Sequence, residues 1–375
     1  MIMNTPSHSF AYHRALTCAI GRQAFAAVLL GAIALAQPTS GKDWEHSKPE
    51  DAGYSSKRLE ALKAYLATLD TTAMMVVHKG KVIFEYGDVA RQGFQLTSVR
   101  KSILALLYGK YVANGTINLD ATLEELGIDD VGGLLPVEKR ATVRHVITAR
   151  SGVFHKNSNP RGGDDVRSAP PRGTKQPGSY FIYNNWDFNV AGYVFEKQTG
   201  LDMFDALQKD LAEPIGMQDF DRALQVKETD DPTLSKYPAY RISLTARDMA
   251  RIGQLMLQKG SWDGKQVVPA DWIKTLISLV TPVEELNPPY RRYYSDGRLW
   301  GYGYMWWVWD DHGGRGPFQW AYTAEGNFGQ FITVLPTLEL VVAHKTLPGD
   351  ERPLRGVTPR QYHAALLLLI NARQQ

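Results

Sequence analysis

The spacing of apolar positions predicts strands near both ends of this chain. Residues 72–87 carry two apolar runs on either side of Lys79 and Gly80, which predicts a β-hairpin. Apolar runs separated by turn residues return late in the chain and predict further strands. These later runs are 302–309, 318–324, 329–335 and 338–346.

Helical spacing predominates elsewhere. Leucines recur on one face of 56–69, where Ser55 or Ser56 can cap the start of a helix. The run 98–113 predicts a buried helix, and 358–372 predicts a final one. Further helices are predicted at 142–150, 186–199, 202–213, 245–259 and 269–280.

Strands at both ends with helices between them predict the fold class. We expect an α+β fold in which both termini build one antiparallel sheet, helices flank that sheet, and a helical region is inserted at about 115–285. Within this region, 155–178 is rich in Gly, Pro, Arg and Asp, which predicts a long surface loop.

The first residues of the chain have the pattern of an export signal. Residues 24–36 are uncharged and apolar, two arginines precede them, and no acidic residue occurs before Asp43. A small-x-small pattern ends at Ala36. We therefore expect a signal peptide over 1–36, a single domain over 37–375, and a periplasmic or secreted protein. The alternative is an uncleaved membrane anchor, although the apolar run is short for a membrane span.

Composition excludes several classes of protein. The 375 residues are 44% hydrophobic and 22% charged, as in ordinary globular proteins. The net charge of +3 is too small to indicate a nucleic-acid partner. The single cysteine, Cys18, rules out a disulfide framework and a cysteine-based zinc site. Removal of residues 1–36 would leave a nearly neutral chain without cysteine, which suits an oxidising compartment.

Ser98 is the first candidate for chemistry. It alone among the serines has a lysine, Lys101, three residues later, and this spacing places both side chains on one face of a helix. A serine hydroxyl becomes a useful nucleophile when a base takes its proton, and a buried lysine can be that base. The helix N-terminus would also offer free N–H groups to an oxyanion. The alternative is a capping serine with a surface lysine.

Tyr183 and Asn185 form the second candidate. They lie just before or at the start of a predicted helix, where a phenol can point into a cleft and transfer protons. Asn185 can donate to a substrate carbonyl group and orient the lysine. The alternative is an N-cap asparagine beside a tyrosine that only packs.

The third candidate is the turn at Glu325, Gly326 and Asn327, between two predicted strands. A glycine at a strand edge lets the backbone approach a ligand closely, and a backbone N–H there can stabilise an oxyanion. The turn is also an ordinary hairpin connection.

The order of these motifs, S-x-x-K, then Y-x-N, then a strand-borne glycine, resembles the serine β-lactamase and penicillin-binding-protein superfamily. The resemblance is to its class C-like branch, which includes class C β-lactamases, family VIII esterases, D-aminopeptidases and 6-aminohexanoate-dimer hydrolases. It extends from about residue 50 to the C-terminus and implies a β-lactamase/transpeptidase-like fold. The segments that carry it are 141–153, 177–200, 211–217, 243–260 and 325–343.

The resemblance implies a role for each candidate residue. Ser98 would be the acylated nucleophile, and Lys101, assisted by Tyr183, would be its general base. Tyr183 would protonate the leaving group or activate the deacylating water. Asn185 would position substrate and Lys101, and the backbone N–H groups of Ser98 and Asn327 would form the oxyanion hole.

One departure from the family pattern concerns the substrate. The β-lactamases carry Lys-Thr-Gly where this chain has Ala324, Glu325 and Gly326. Lys345 is followed by threonine, but it ends the last strand and no glycine follows directly. The loss of a cation favours an esterase or amidase acting on small-molecule esters, amides or peptide-like substrates. A β-lactamase or D-Ala-type peptidase, and a non-catalytic penicillin-binding-like sensor, remain alternatives.

Other residues give weaker indications. The chain lacks Gly-x-Ser-x-Gly and the usual zinc-binding spacings, and we expect no metal and no cofactor. Asp129 and Asp130 are expected to be solvated loop acids, and His155 a surface histidine. Some tryptophans of a late cluster are expected to line the acyl pocket and others to lie in the core. This cluster is Trp300, Trp306, Trp307, Trp309 and Trp320. The oligomeric state stays open.

Overall fold

The computed structural model describes residues 42–93, 95–160, 166–288, 300–311, 315–347 and 356–374. The predicted signal segment lies outside these residues. The strands are β1 Ala73–His78, β2 Lys81–Gly87, β3 Val226–Glu228, β4 Ala239–Arg241, β5 Ser261–Trp262, β6 Lys265–Gln266, β7 Trp300–Tyr302, β8 Trp307–Trp309, β9 Tyr322–Gly326, β10 Gln330–Leu335 and β11 Leu340–Lys345. The helices are α1 Ser56–Leu66, α2 Val99–Ala113, α3 Pro136–Lys139, α4 Val143–Ile147, α5 Asn185–Thr199, α6 Met203–Leu207, α7 Ala246–Leu257, α8 Ala270–Leu276 and α9 Pro359–Asn371.

Seven strands form one antiparallel sheet in the order β2-β1-β11-β10-β9-β8-β7. The N-terminal hairpin joins the C-terminal strands through β1 and β11, where Val76 pairs with Val342. The predicted antiparallel sheet from both termini is therefore confirmed. Residues on both faces of β10 and β11 are buried, because helices cover the sheet on both sides.

Two predicted strands are shorter in the structure. The run 302–309 contains a turn, in which Met305 has a φ of 60°, so that β7 and β8 form a hairpin. The strand predicted from residue 318 begins only at Tyr322, since Trp320, with a φ of 64°, belongs to the preceding turn. A positive φ in a bulky residue marks a backbone that has left the extended conformation.

Helices pack closely at two places, one on the sheet and one beside the site. Helix α7 lies so close to the sheet that a Cβ on Gly253 would come within 2.3 Å of Val341. Helix α2 is buried along most of its length and packs against α5, α8 and β9. Its apolar residues anchor it in the core, so the residues at its N-terminus are held beside the end of β9.

The segment predicted as a long surface loop is partly buried. Residues 161–165 lie outside the described part of the chain. Before them, His155, Asn157, Ser158 and Asn159 are all buried. The polar side chains find partners inside the protein, as Ser158 Oγ does by donating to the Tyr237 carbonyl oxygen at 2.6 Å. Within the described residues, no helix has the length and apolar character that crossing a membrane would require.

Candidate active site

Ser98 lies immediately before the first residue of α2, at the helix N-terminus. Its side chain makes no capping hydrogen bond, so the alternative of a capping serine is wrong. Lys101 Nζ instead lies 3.0 Å from Ser98 Oγ, as the one-turn spacing predicts. The preceding residue, Thr97, has a left-handed backbone with a φ of 48°. Such strain at a non-glycine residue is typical of functional sites.

Lys101 is the centre of a buried polar cluster. Its residue is 2% exposed, so the alternative of a surface lysine is also wrong. Its Nζ donates to Tyr183 Oη at 2.6 Å and to Asn185 Oδ1 at 2.7 Å, in addition to its contact with Ser98. It also lies 4.3 Å from the ring centroid of Phe188. Four residues predicted from two separate motifs, Ser98 and Lys101 from one and Tyr183 and Asn185 from the other, therefore meet at Lys101.

The N-terminus of α5 presents Asn185 and Tyr183 to this lysine. The residue that caps α5 is Asn184, whose Oδ1 accepts from the Trp186 backbone N–H at 2.9 Å. Asn184 Nδ2 also donates to the Val153 carbonyl oxygen at 2.8 Å, which fixes the loop before the helix. An N-cap asparagine, one part of the alternative, is therefore present as Asn184, while the Asn185 side chain accepts from Lys101.

Aromatic side chains hold the Tyr183 ring. Trp307 of β8 stacks on it, with ring centroids 6.0 Å apart and an angle of 17° between the planes. Phe188 lies 4.8 Å away and Tyr302 lies 6.2 Å away. Sequence reasoning missed Phe188, although its spacing of three residues from Asn185 on a helix places both on one face. Of the late tryptophans, Trp307 thus borders the site.

The other late tryptophans differ in their surroundings. Trp306 is fully buried and packs edge-on against Tyr322. Trp300 and Trp309 contact each other across the β7–β8 pair. Trp320 is 69% exposed. Trp306 is therefore a core residue, Trp307 contacts the Tyr183 ring, and Trp320 lies on the surface. That some tryptophans line an acyl pocket stays a prediction.

The end of β9 lies against the turn that carries the nucleophile. A Cβ on Gly326 would come within 2.3 Å of Thr97 Oγ1 and 3.1 Å of the Ser98 backbone nitrogen. Thr97 Oγ1 donates to the Asn327 carbonyl oxygen at 3.2 Å. Gly326 is needed here because of this close approach, which brings Asn327 beside Ser98. Strand alternation places half-buried Glu325 on the opposite face of β9 from Gly326, together with Thr323.

Gly326→Ala tests the importance of this approach. We expect the added methyl group to push β9 away from Thr97 and to lower kcat/KM by about tenfold or more, since small misplacements of reacting groups are costly. Steady-state kinetics on the folded protein measure it. Gly253→Ala is the matched control, because its Cβ meets Val341 at a similar distance, 2.3 Å, under α7. It should lower Tm but leave kcat/KM unchanged. Equal kinetic loss in both variants would contradict the assignment.

Lys345 does not supply the cation that is absent at Ala324. Its Nζ donates to the Leu244 carbonyl oxygen on the α7 side of the sheet, and burial lowers the pKa of Lys345 to about 8. Ala324 is itself fully buried. Position 324 therefore carries a buried methyl group and no charge.

Asp130 and His155 are buried, and the expectation of solvated or surface side chains is wrong for both. The Asp130 carboxylate accepts from Trp186 Nε1 at 2.7 Å, from Ser235 Oγ at 2.5 Å and from two backbone N–H groups. His155 contacts backbone carbonyl oxygens through both ring nitrogens. Asp129 is half-exposed and pairs with Lys139 at 2.9 Å. Among the described residues, no group of three or more His, Cys, Asp or Glu side chains could hold a metal.

Comparison with known proteins gives relatives for nearly the whole length of the described fold. Residues 60–346 match the family model described as Beta-lactamase. Monacolin J acid methylbutanoyltransferase of Aspergillus terreus is 31% identical over 160 residues, which are 35% of this chain and 38% of that protein. The 6-aminohexanoate-dimer hydrolase of Paenarthrobacter ureafaciens is 26% identical over 256 residues, covering 59% of this chain and 62% of that one. The matches thus span less than two thirds of either relative.

A solved structure shows the same fold. A penicillin-binding protein homologue from Caulobacter crescentus superposes with a TM-score of 0.59 at 18% identity, over 88% of this chain and 98% of that one. This likeness confirms the predicted β-lactamase/transpeptidase-like fold.

Proposed function

The chain belongs to the beta-lactamase family. From that membership we propose that it is a serine hydrolase, and from its first residues that it is exported. It cleaves small esters or amides through an acyl-enzyme on Ser98, with Lys101 and Tyr183 as acid–base residues. Export rests on the apolar segment 24–36 and the arginines before it. The proposed reaction needs no metal and no cofactor.

The observation that carries the proposal is the set of three hydrogen bonds around Lys101 Nζ, to Ser98 Oγ, Tyr183 Oη and Asn185 Oδ1. A neutral amine has two N–H groups and one lone pair. The two N–H groups of Lys101 can donate to Asn185 Oδ1 and Tyr183 Oη, and the lone pair then faces the Ser98 hydroxyl. This arrangement lets Lys101 take the proton as Ser98 Oγ attacks the carbonyl carbon.

The remaining steps follow from the neighbours of Ser98. The oxyanion of the tetrahedral intermediate would accept from the backbone N–H groups of Ser98 and Asn327, which the close approach at Gly326 brings together. The proton held on Lys101 would pass through Tyr183 Oη to the leaving group, since Lys101 Nζ and Tyr183 Oη are 2.6 Å apart. In the second half-reaction Tyr183 Oη would take a proton from the attacking water while it passes its own proton to Lys101 Nζ. The water oxygen would attack the acyl carbon, the bond between that carbon and Ser98 Oγ would break, and the proton on Lys101 would return to Ser98 Oγ.

The substrate class follows from charge and shape. Ala324 offers no cation for a substrate carboxylate, and the Tyr183 side of the site is bordered by the rings of Trp307, Tyr302 and Phe188. We therefore favour neutral substrates with apolar acyl groups. A β-lactamase or D-Ala-type peptidase is the alternative with an anionic substrate. A non-catalytic sensor is less favoured, because such a role would not require the Ser98–Lys101–Tyr183 contacts.

A second candidate activity is acyl transfer to an alcohol. The similarity to a protein named a methylbutanoyltransferase favours it. Chemically, the two activities differ only in whether water or an alcohol attacks the acyl-enzyme.

A substrate panel tests the substrate class. We expect turnover of p-nitrophenyl butyrate and little or no turnover of nitrocefin, whose carboxylate finds no cation at residue 324. Addition of a short-chain alcohol during ester turnover, with the products separated by chromatography, shows whether a new ester forms. Faster hydrolysis of nitrocefin than of the ester would reverse the assignment in favour of a β-lactamase.

A further inference from the structure

Arg100 is a buried cation directly beside the proposed general base in α2. The residue is 4% exposed. Its Nη2 donates to Asn189 Oδ1 at 3.2 Å, and Asn189 Nδ2 in turn donates to the Tyr237 carbonyl oxygen at 3.3 Å. Within the described parts of the chain, Arg100 has no ion-pair partner. Its hydrogen-bond partner is therefore neutral, and its charge is not cancelled by a carboxylate in contact.

The charges beyond this contact do not cancel it either. The nearby Glu228 carboxylate is held by an ion pair with Arg241. Burial lowers the pKa of Arg100 to about 9, and the Arg241 guanidinium acts in the same direction, whereas Tyr183 and Glu228 oppose it. Arg100 thus remains protonated at neutral pH and places a positive charge in the interior next to the site.

Arg100 and Lys101 face the same helix at neighbouring positions. Lys101 contacts Asn185, and Arg100 contacts Asn189, one turn further along α5. One turn of an α-helix rises about 5.4 Å. The Arg100 guanidinium and Lys101 Nζ therefore contact α5 at positions one helical turn apart.

We propose that the positive charge of Arg100 keeps Lys101 in its unprotonated, base form and stabilises negative charge that develops on Tyr183. This inference rests on the proposed serine hydrolase. A like charge at short range in a low-dielectric interior disfavours a second cation, and it favours an anion. Arg100 would act through Lys101 and Tyr183 and is a positioning residue.

The other groups around Lys101 are consistent with this role. Lys101 faces Ser98 at the N-terminus of α2, Tyr183 in the loop before α5, and both Asn185 and the Phe188 ring on α5. From β3 and β4, Glu228 and Arg241 act on Arg100 and are paired with each other. A buried guanidinium with a neutral partner costs stability compared with an apolar side chain, so a catalytic effect gives a reason for its presence.

The test is the pH dependence of kcat/KM for p-nitrophenyl butyrate between about pH 5 and pH 9. In Arg100→Met we expect the acidic limb to move to higher pH by about one unit, with a loss of about tenfold near neutral pH and a largely retained rate at alkaline pH. Arg100→Lys retains the charge and should retain the wild-type profile.

A second variant keeps the arginine and cancels its charge. Asn189→Asp places a carboxylate on the guanidinium, and we expect it to move the acidic limb in the same direction as Arg100→Met. A purely structural role for Arg100 predicts no such movement, since the new ion pair would hold the side chain at least as well. Arg251→Met is the control, because Arg251 is buried in α7 and contacts Trp44 and Trp262 rather than the site.

The inference is overturned if the acidic limb does not move in Asn189→Asp and does not move in Arg100→Met, where that variant folds. It is also overturned if the acidic limb moves equally in Arg251→Met. Covalent labelling of wild-type Ser98 separates this failure from failure of the proposed function. If Ser98 is labelled and the limb does not move, the role of Arg100 alone is wrong. If wild-type Ser98 is not labelled, both proposals are wrong.

Discussion

Ser98→Ala lowers kcat/KM for p-nitrophenyl butyrate on the order of 10⁵-fold, because it removes the atom that forms the acyl-enzyme. Loss of the nucleophile in a hydrolase that works through a covalent intermediate leaves only substrate binding and the oxyanion hole. Steady-state hydrolysis measures this loss. The fold should be unaffected, since Ser98 Oγ makes no helix-capping hydrogen bond.

Ser102→Ala is the matched control for this prediction. Ser102 lies one turn further along α2 and donates to the Met305 carbonyl oxygen at 2.6 Å. Its replacement removes one buried hydrogen bond, worth about 1 kcal/mol of folding stability, but no reacting atom. We expect Ser102→Ala to keep its activity within a few-fold of wild type. Similar losses in both variants would mean that Ser98 acts only through structure.

Lys101→Met slows acylation by about 10²–10⁴-fold, the range expected for lost acid–base catalysis. The substitution removes the proton acceptor for Ser98 and also the donor that orients Tyr183 and Asn185. Methionine has a similar length, so it fills the space in which the lysine stem now lies. The initial burst of p-nitrophenol in rapid-mixing experiments measures the acylation step directly.

Lys110→Met is the control within the same helix. Lys110 is half-exposed near the end of α2 and pairs with Asp210 at 2.7 Å. An ion pair of this kind contributes little to stability, and the acylation rate should not change. Full acylation rate in Lys101→Met would assign the base to another group.

The fold could be predicted where local pattern and global packing agree. Apolar positions have the spacing expected of buried strands in the hairpin around Gly80 and in the runs that form β10 and β11. The contact between Ser98 and Lys101 followed from helix periodicity alone. These features depend on spacing along one element, which the sequence shows directly.

Features that depend on several elements could not be predicted in the same way. The sequence around Asp130 indicates a solvated loop acid, whereas in the structure its carboxylate accepts from Trp186 and Ser235. The strand predicted from residue 318 begins only at Tyr322, because Trp320 adopts a positive φ, which the hydrophobic pattern does not reveal. The meeting of Lys101 with Tyr183 joins residues 82 positions apart, and only the family resemblance anticipated it.

Arg100 shows the same limit within the site. Its place in the sequence, next to Lys101, shows proximity along the chain but not burial or the identity of its partner. Both depend on α5, which presents neutral Asn189 where a carboxylate would have cancelled the charge. The electrostatic environment of the base is therefore a property of the packed helices.

Covalent labelling by a fluorophosphonate, followed by intact-mass and peptide mass spectrometry, tests the proposed acyl-enzyme most directly. The reagent reacts with a serine that a neighbouring base has activated. We predict that wild-type protein gains the mass of one probe on the peptide that contains Ser98, and that Ser98→Ala gains none. Absence of labelling in wild-type protein, or equal labelling of Ser98→Ala, would contradict a nucleophilic Ser98.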